Sequence, residues 1–208
     1  MNRELFSAVL GDVLDQMGHH HQFLPPQVGP LEPGMVVTGR AMPVLCRPGP
    51  PPDGSPLGKM LEALDSLRPG EVYLADGAGA NHALWGELMS TRANQLGAAG
   101  AVLHGYHRDT PGILSLGFPT FSHGGYAQDV RGRGHVAEYR VPLRIGQVEI
   151  APGDLVFGDR DGVLILPAGV AEEVVRQALE KVRGENRVRD ALRQGVSAVE
   201  AFERFGVM

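Results

Sequence analysis

At 208 residues, with 43% hydrophobic and 21% charged side chains, the chain has the balance of one globular domain with a sizeable core, not that of a disordered segment. Its formal charge of -5 lacks the basic excess with which sequence-independent nucleic-acid binders displace phosphate counterions. Cys46 is the sole cysteine, so no intrachain disulfide can form; no apolar run is long enough to span a bilayer, and Met1-Asn2-Arg3-Glu4 shows no basic-then-apolar leader pattern. The expectation is a cytoplasmic protein with neither nucleic-acid nor membrane partners.

Leu5 to Met17 reads as a helix, with Leu5, Val9, Val13 and Met17 four residues apart and Gly18 as its stop. His19 to Pro33 reads as a loop. Its three consecutive histidines, His19, His20 and His21, cannot all face one ion on an extended chain, so a solvated loop is expected. Met35 to Leu45 reads as a strand broken near Gly39, and the proline-rich Arg47 to Pro56 as a surface loop. A short amphipathic helix is expected over Leu57 to Leu67, presenting Leu57, Met60, Leu61 and Leu64 on one side.

Glu71 to Asp76 reads as a strand, Gly77 to Asn81 as a small-residue loop, Trp85 to Leu96 as a helix and Ala101 to Gly105 as a second strand, together a βαβ unit. Short strands are expected at Phe118 to Ser122, Val136 to Val141, Leu143 to Ile145, Val148 to Ile150, Asp154 to Gly158 and Gly162 to Leu166. A helix runs from Ala168 to Val182, extending toward Leu192. A last one covers Ser197 to Phe205, where Ser197 and Glu200 fit a capping box. The pattern is one α/β domain over residues 1–208, its second half mostly β before C-terminal helices from about 168 to 205.

The chemistry concentrates between Asp76 and Asp109. Gly86-Glu87-Leu88-Met89 opens a helix, where amides without intrahelical partners collect positive potential and suit a carboxylate. A plain helix start packed under Trp85 is the alternative. Arg108-Asp109 follows a buried strand, at the strand end where α/β ligand sites collect. Arginine can grip a carboxylate with two parallel hydrogen bonds, and aspartate is a hard oxygen ligand for Mg²⁺ or Mn²⁺. Twenty residues separate Glu87 from Arg108, enough for one helix and one strand to return both to one sheet edge.

This acid, twenty residues, Arg-Asp arrangement resembles the metal-dependent 4-hydroxy-4-methyl-2-oxoglutarate aldolase family, related to the regulator-of-ribonuclease-activity A proteins. Supporting segments in order are 11–18, Gly39-Arg40-Ala41, 117–121, Pro152-Gly153-Asp154 and 158–163. The resemblance implies a three-layer β/β/α swivelling-domain fold, homotrimers or hexamers, and sites between subunits. It implies that Gly86, Glu87, Leu88, Met89 and Arg108 bind a small 2-oxo acid and that Asp109 ligates Mg²⁺ or Mn²⁺. Glu185, or nearby Glu180, would reach a neighbouring subunit's site. Where the family often has a further acid, three residues past the aspartate, this chain has Gly112.

The expected activity is metal-dependent carbon–carbon cleavage of 4-hydroxy-2-oxo acids to pyruvate, with oxaloacetate decarboxylation as a side activity. Arg108 would share the enolate charge and Glu87 would orient the water network that takes the C4 hydroxyl proton. A Schiff-base route needs a lysine, and Lys59 and Lys181 both lie far from the motif in sequence. Two other readings are a non-catalytic regulator that inhibits an RNA-degrading enzyme, which the retained Asp109 disfavours, and a demethylmenaquinone methyltransferase, for which no nucleotide-binding glycine fingerprint is found. His104 and His107 are candidates for substrate contact or for structural roles. Asp76 is placed in the water network or at a strand-end cap. Asp159 and Asp161 are read as turn residues, as is Gly124-Gly125, and Cys46 is given no role.

Overall fold

Four consecutive residues of the run Glu71 to Asp76, Val72 through Ala75, are buried. Val72 and Leu74 enter one core with Val102, Phe121, Ile145 and Ile150, while Tyr73 and Ala75 enter another with Trp85, Leu103, Ile113 and Phe118. A strand apolar on both faces must be covered on both, which demands layers above and below it.

The computed structural model describes residues 4–77 and 79–206. The leader reading at residues 1–3, and Ala78 within the Gly77 to Asn81 loop reading, lie outside them. The elements are α1 (Ser7–Gln16), β1 (Gly29–Pro30), β2 (Val37–Pro48), α2 (Met60–Asp65), β3 (Glu71–Asp76), β4 (Ala83–Trp85), α3 (Glu87–Gln95), β5 (Gly100–His104), β6 (Tyr106–His107), α4 (Thr110–Leu116) and β7 (Thr120–Ser122). There follow β8 (Gly134–Tyr139), β9 (Leu143–Ile145), β10 (Val148–Ile150), β11 (Leu155–Asp159), β12 (Gly162–Leu166), α5 (Ala171–Arg193) and α6 (Ala198–Phe205).

The main sheet runs β1-β7-β5-β3-β2-β11-β12. Its centre, β7-β5-β3-β2, is parallel. Along its other edge, β2 pairs first with β11 and then, from Val44 on, with β8, a pairing interrupted by a bulge between Leu45 and Cys46. On one face α2, α3 and α4 cover the sheet; on the other lies the antiparallel hairpin β9–β10. This is an α/β domain of the three-layer β/β/α kind. A third core joins α1 and α5 to β11 and β12 through Leu10, Leu14, Phe157, Leu164 and Val174. Among the described residues no helix is long and apolar enough to cross a membrane.

Several expectations are corrected. β2 passes through Gly39 unbroken and reaches Pro48, taking in Arg47 from the expected loop. Glycine at 39 marks close approach instead: a Cβ there would collide with the Gly70 carbonyl oxygen. The helix expected from Trp85 begins at Glu87, because Trp85 lies in β4 with its ring between Tyr73 (centroids 4.8 Å) and Phe118 (6.1 Å). The helix expected over Leu57 to Leu67 spans only Met60–Asp65. Three short strands (β1, β4, β6) and helix α4 were not expected. The capping reading of the last helix holds at Ser197, whose Oγ accepts from the Glu200 amide at 3.1 Å.

Candidate active site

Two short parallel strands assemble the site. β4 pairs with β6, and the Arg108 amide donates to the Trp85 carbonyl at 2.9 Å. Gly86 and Arg108, twenty-two positions apart, are thereby brought side by side. Gly86 caps α3 in an extended conformation (φ -158°). The first helical bond within α3 is the Ser90 amide to the Gly86 carbonyl, 3.0 Å, so the amides of Glu87, Leu88 and Met89 lie ahead of the helix's own ladder. Ser90 locks the corner: its Oγ donates to the Gly86 carbonyl (3.1 Å) and accepts from the Trp85 indole Nε1–H (2.7 Å).

Asp109 adopts a left-handed conformation (φ 61°, ψ 36°) at the start of α4. Asp is among the few residues that tolerate this region. The turn sends its carboxylate back to α3, where Oδ2 accepts from the Glu87 amide at 3.3 Å. The fit is tight, since a Cβ on Gly86 would stand 2.6 Å from that oxygen. Arg108 lies between two carboxylates, with Nε 3.7 Å from Asp109 Oδ2 and Nη1 3.2 Å from Asp129 Oδ1. Both Arg108 and Asp109 keep about half of their side chains open to solvent, at 40% and 50%.

Beside them opens a cavity of about 530 Å³. Its lining combines Gly86, Arg108, Asp109 and Asp129 with the apolar side chains of Leu57, Met60, Leu61 and Leu64. Leu88, Met89 and Trp85 border it, as does Arg131. The volume lies in the range of small-molecule sites.

Gly86, Leu88, Met89, Arg108 and Asp109 are thus gathered around one space. Glu87 contributes differently from the expectation. Its amide meets Asp109, but its carboxylate is turned to Thr91, whose Oγ1 donates to it at 2.8 Å, and it does not line the cavity. The Glu87 stem covers Gly112, so that a Cβ at 112 would stand 2.5 Å from Glu87 Cγ. Glu185 and Glu180 lie on α5, away from this chain's own cavity, and Glu180 pairs with Arg176 at 2.7 Å.

His107 is buried, bonded to Ser122 Oγ and Thr110 Oγ1 at 2.8 Å each, and burial lowers its pKa despite nearby Asp109. It ties β6 to β7 and α4 as a structural residue. His104 pairs with Asp76 at 2.9 Å, outside the cavity. Asp159 serves the turn, accepting from the Asp161 amide (3.0 Å), and also caps α1 through the Ser7 amide (2.7 Å). Burial, followed by nearby Asp76, pushes the Cys46 thiol up to about 12, leaving it inert. His20 approaches Asp15 at 3.4 Å, and among the described residues no group of three or more His, Cys, Asp or Glu is arranged to hold a metal.

Sequence reasoning missed Asp129, Arg131 and α4. The first two lie in a stretch with no periodic signal. Helix α4 did carry one, Pro111 in its first turn and Gly117 at its end.

The family model RraA-like, described as Aldolase/RraA, matches residues 7–165. Protein DlpA of Legionella pneumophila is 30% identical over 200 residues, which are 96% of this chain and 32% of that protein. The 4-hydroxy-4-methyl-2-oxoglutarate aldolase of Thermus thermophilus is 33% identical over 109 residues, 51% of this chain and 65% of that one. This chain therefore spans about a third of the first relative's length and just under two thirds of the second's. Among solved structures, Streptomyces coelicolor RraAS2, described as an unusual member of the RNase ES inhibitor RraA protein family, superposes with a TM-score of 0.79. The two share 27% identity, over 89% of this chain and 91% of that one.

Proposed function

This chain belongs to the RraA-like, Aldolase/RraA, family, and on that premise we propose that it is a divalent-metal-dependent lyase cleaving 4-hydroxy-2-oxo acids to pyruvate. One observation carries the reading: a cation and a carboxylate from adjacent residues, Arg108 and Asp109, share a cavity wall with Gly86, Leu88 and Met89 at the opening of α3.

The substrate carboxylate would lie against the Leu88 and Met89 amides, where the helix end favours negative charge. Arg108 would face the 2-oxo group and share the charge that develops on its oxygen. Asp129 holds the guanidinium from the far side, as a positioning residue. As the C3–C4 bond breaks, its electron pair moves into the enolate. The C4 hydroxyl proton leaves to water in the half-open site, and C3 then takes a proton to give pyruvate. Asp109 would hold Mg²⁺ or Mn²⁺. A half-exposed carboxylate in a site with room for water and substrate oxygens fits Mg²⁺, which is commonly bound through one or two carboxylates only. When bound, the ion supplies Lewis-acid polarisation of the 2-oxo oxygen. Oxaloacetate would lose CO₂ through the same enolate. Assembly as a homotrimer or hexamer, with Glu185 approaching a neighbour's cavity, belongs to the same proposal.

The test is pyruvate release from a panel of 4-hydroxy-2-oxo acids and oxaloacetate, with Mg²⁺ and with EDTA. Release that EDTA abolishes supports the lyase. No release from any of them overturns it, and inhibition of an RNA-degrading enzyme by the same protein would favour a regulator.

A further inference from the structure

At about 530 Å³ the cavity is far larger than a three-carbon oxo acid needs, and its lining includes a polar set and an apolar set of residues. Resting on the lyase reading of this site, we propose that the substrate's distal group is uncharged hydrocarbon and not a second carboxylate. The pyruvoyl part faces Gly86, Arg108 and Asp109. The remaining wall is built from Leu57, Met60, Leu61 and Leu64, at and before α2, and the Leu88 side chain borders it from α3. Leu61 and Leu88 are 58% and 80% exposed.

Charge argues the same way. Arg108 already stands between Asp109 and Asp129 and faces the 2-oxo group, so it is not free to pair with a second substrate carboxylate. Among the described residues lining the cavity, the only other cation is Arg131, which is exposed and two residues from Asp129. A carboxylate set among the leucines and methionines would give up part of its hydration with only the exposed Arg131 to offset it, whereas each methylene there gains by leaving water. Cleavage would then release pyruvate and an apolar aldehyde. The C3–C4 bond breaks, the hydroxyl proton leaves to water, C3 gains one, and no oxidant or reductant is consumed.

Binding can be read without turnover, because Trp85 is the only tryptophan and borders the cavity. The full chain with Mg²⁺ is titrated by Trp85 fluorescence with straight-chain 2-oxo acids from pyruvate to 2-oxooctanoate, and with 2-oxoglutarate. Each added methylene is expected to tighten Kd about threefold to fourfold. 2-Oxoglutarate should bind about tenfold or more weakly than 2-oxopentanoate, a monocarboxylate of the same length whose distal end is uncharged. Leu61→Lys, at an exposed position the fold tolerates, should narrow or invert that preference.

A flat alkyl series, or 2-oxoglutarate binding as tightly as 2-oxopentanoate, overturns the inference. If dicarboxylate substrates still release pyruvate in that case, the lyase reading survives alone. A graded alkyl series without pyruvate release from any hydroxy oxo acid keeps the ligand class and removes the lyase. Binding of none of these acids overturns both.

Discussion

The carboxylate of Asp109 accepts a hydrogen bond from the main-chain amide of Glu87, 3.3 Å away, across twenty-two residues of chain. That single contact joins the start of one helix to the start of another, and it fixes where the exposed edge of the carboxylate points. Gly86 leaves it no slack.

Gly86→Ala tests this packing. Gly86 is extended, so alanine meets no backbone strain, and its only fault is a methyl 2.6 Å from Asp109 Oδ2. Displacing a site group by an ångström costs about a hundredfold in rate. We expect kcat/KM for pyruvate release to fall by about that factor, while the far-UV circular dichroism spectrum stays unchanged. Unaltered kinetics would mean that the Asp109 position does not matter.

Asp109→Asn keeps a residue that tolerates the left-handed turn and an oxygen for the Glu87 amide, but removes the charge. The variant should fold normally, lose Mg²⁺-dependent turnover, and bind Mn²⁺ more weakly by electron paramagnetic resonance. Wild-type Mn²⁺ affinity would remove Asp109 as the ligand.

Arg108→Lys retains a cation but not the fork that two oxygens can share. Both Arg108→Lys and Arg108→Ala should lower kcat, alanine by about a hundredfold to a thousandfold. Lysine restoring full kcat would show that charge alone suffices.

Ser90→Ala strands the Trp85 indole N–H in a buried setting. The expected cost is about 1–3 kcal/mol, read as a lower midpoint in denaturant unfolding. Because Ser90 also braces the Gly86 carbonyl, KM should rise as well. A change in stability with no change in kinetics would separate Trp85 packing from the site.

The Glu71–Arg140 pair predicts a pH dependence. Arg140 Nη1 and Nη2 donate to the two carboxylate oxygens of Glu71 at 2.7 Å each. Burial pushes the Glu71 carboxyl up, but the Arg140 guanidinium and the Arg68 amide outweigh it and hold it below the ordinary value. A lowered folded pKa gives stability that is present above the unfolded value, about 4.3, and lost as pH falls through the folded value beneath it. Thermal melts of the wild type should therefore weaken in that acid window, and Glu71→Gln should flatten that part of the profile. Equal slopes in both proteins would show that the pair contributes nothing.

Much of the scaffold was legible before any coordinates. Buried strands such as Glu71–Asp76 announce themselves by continuous apolar runs, and α3 by a helical pattern whose first residue was read two positions early. Gly39 and Trp85 misled for one reason: each answers to a distant neighbour, the Gly70 carbonyl in one case and the Tyr73 and Phe118 rings in the other, and local pattern carries no trace of such contacts.

By itself, the sequence determined the α/β character of the domain, most of its strands and helices, and the adjacency of a cation and a carboxylate at a strand end, because hydrophobic periodicity and chain order are local properties. Only the tertiary structure decided that Glu87 offers its amide and not its carboxylate to the site, that Asp129 holds Arg108, and that α2 lends the cavity an apolar wall. Each of those depends on which way a side chain turns once remote segments have packed, and packing is a property of the whole chain.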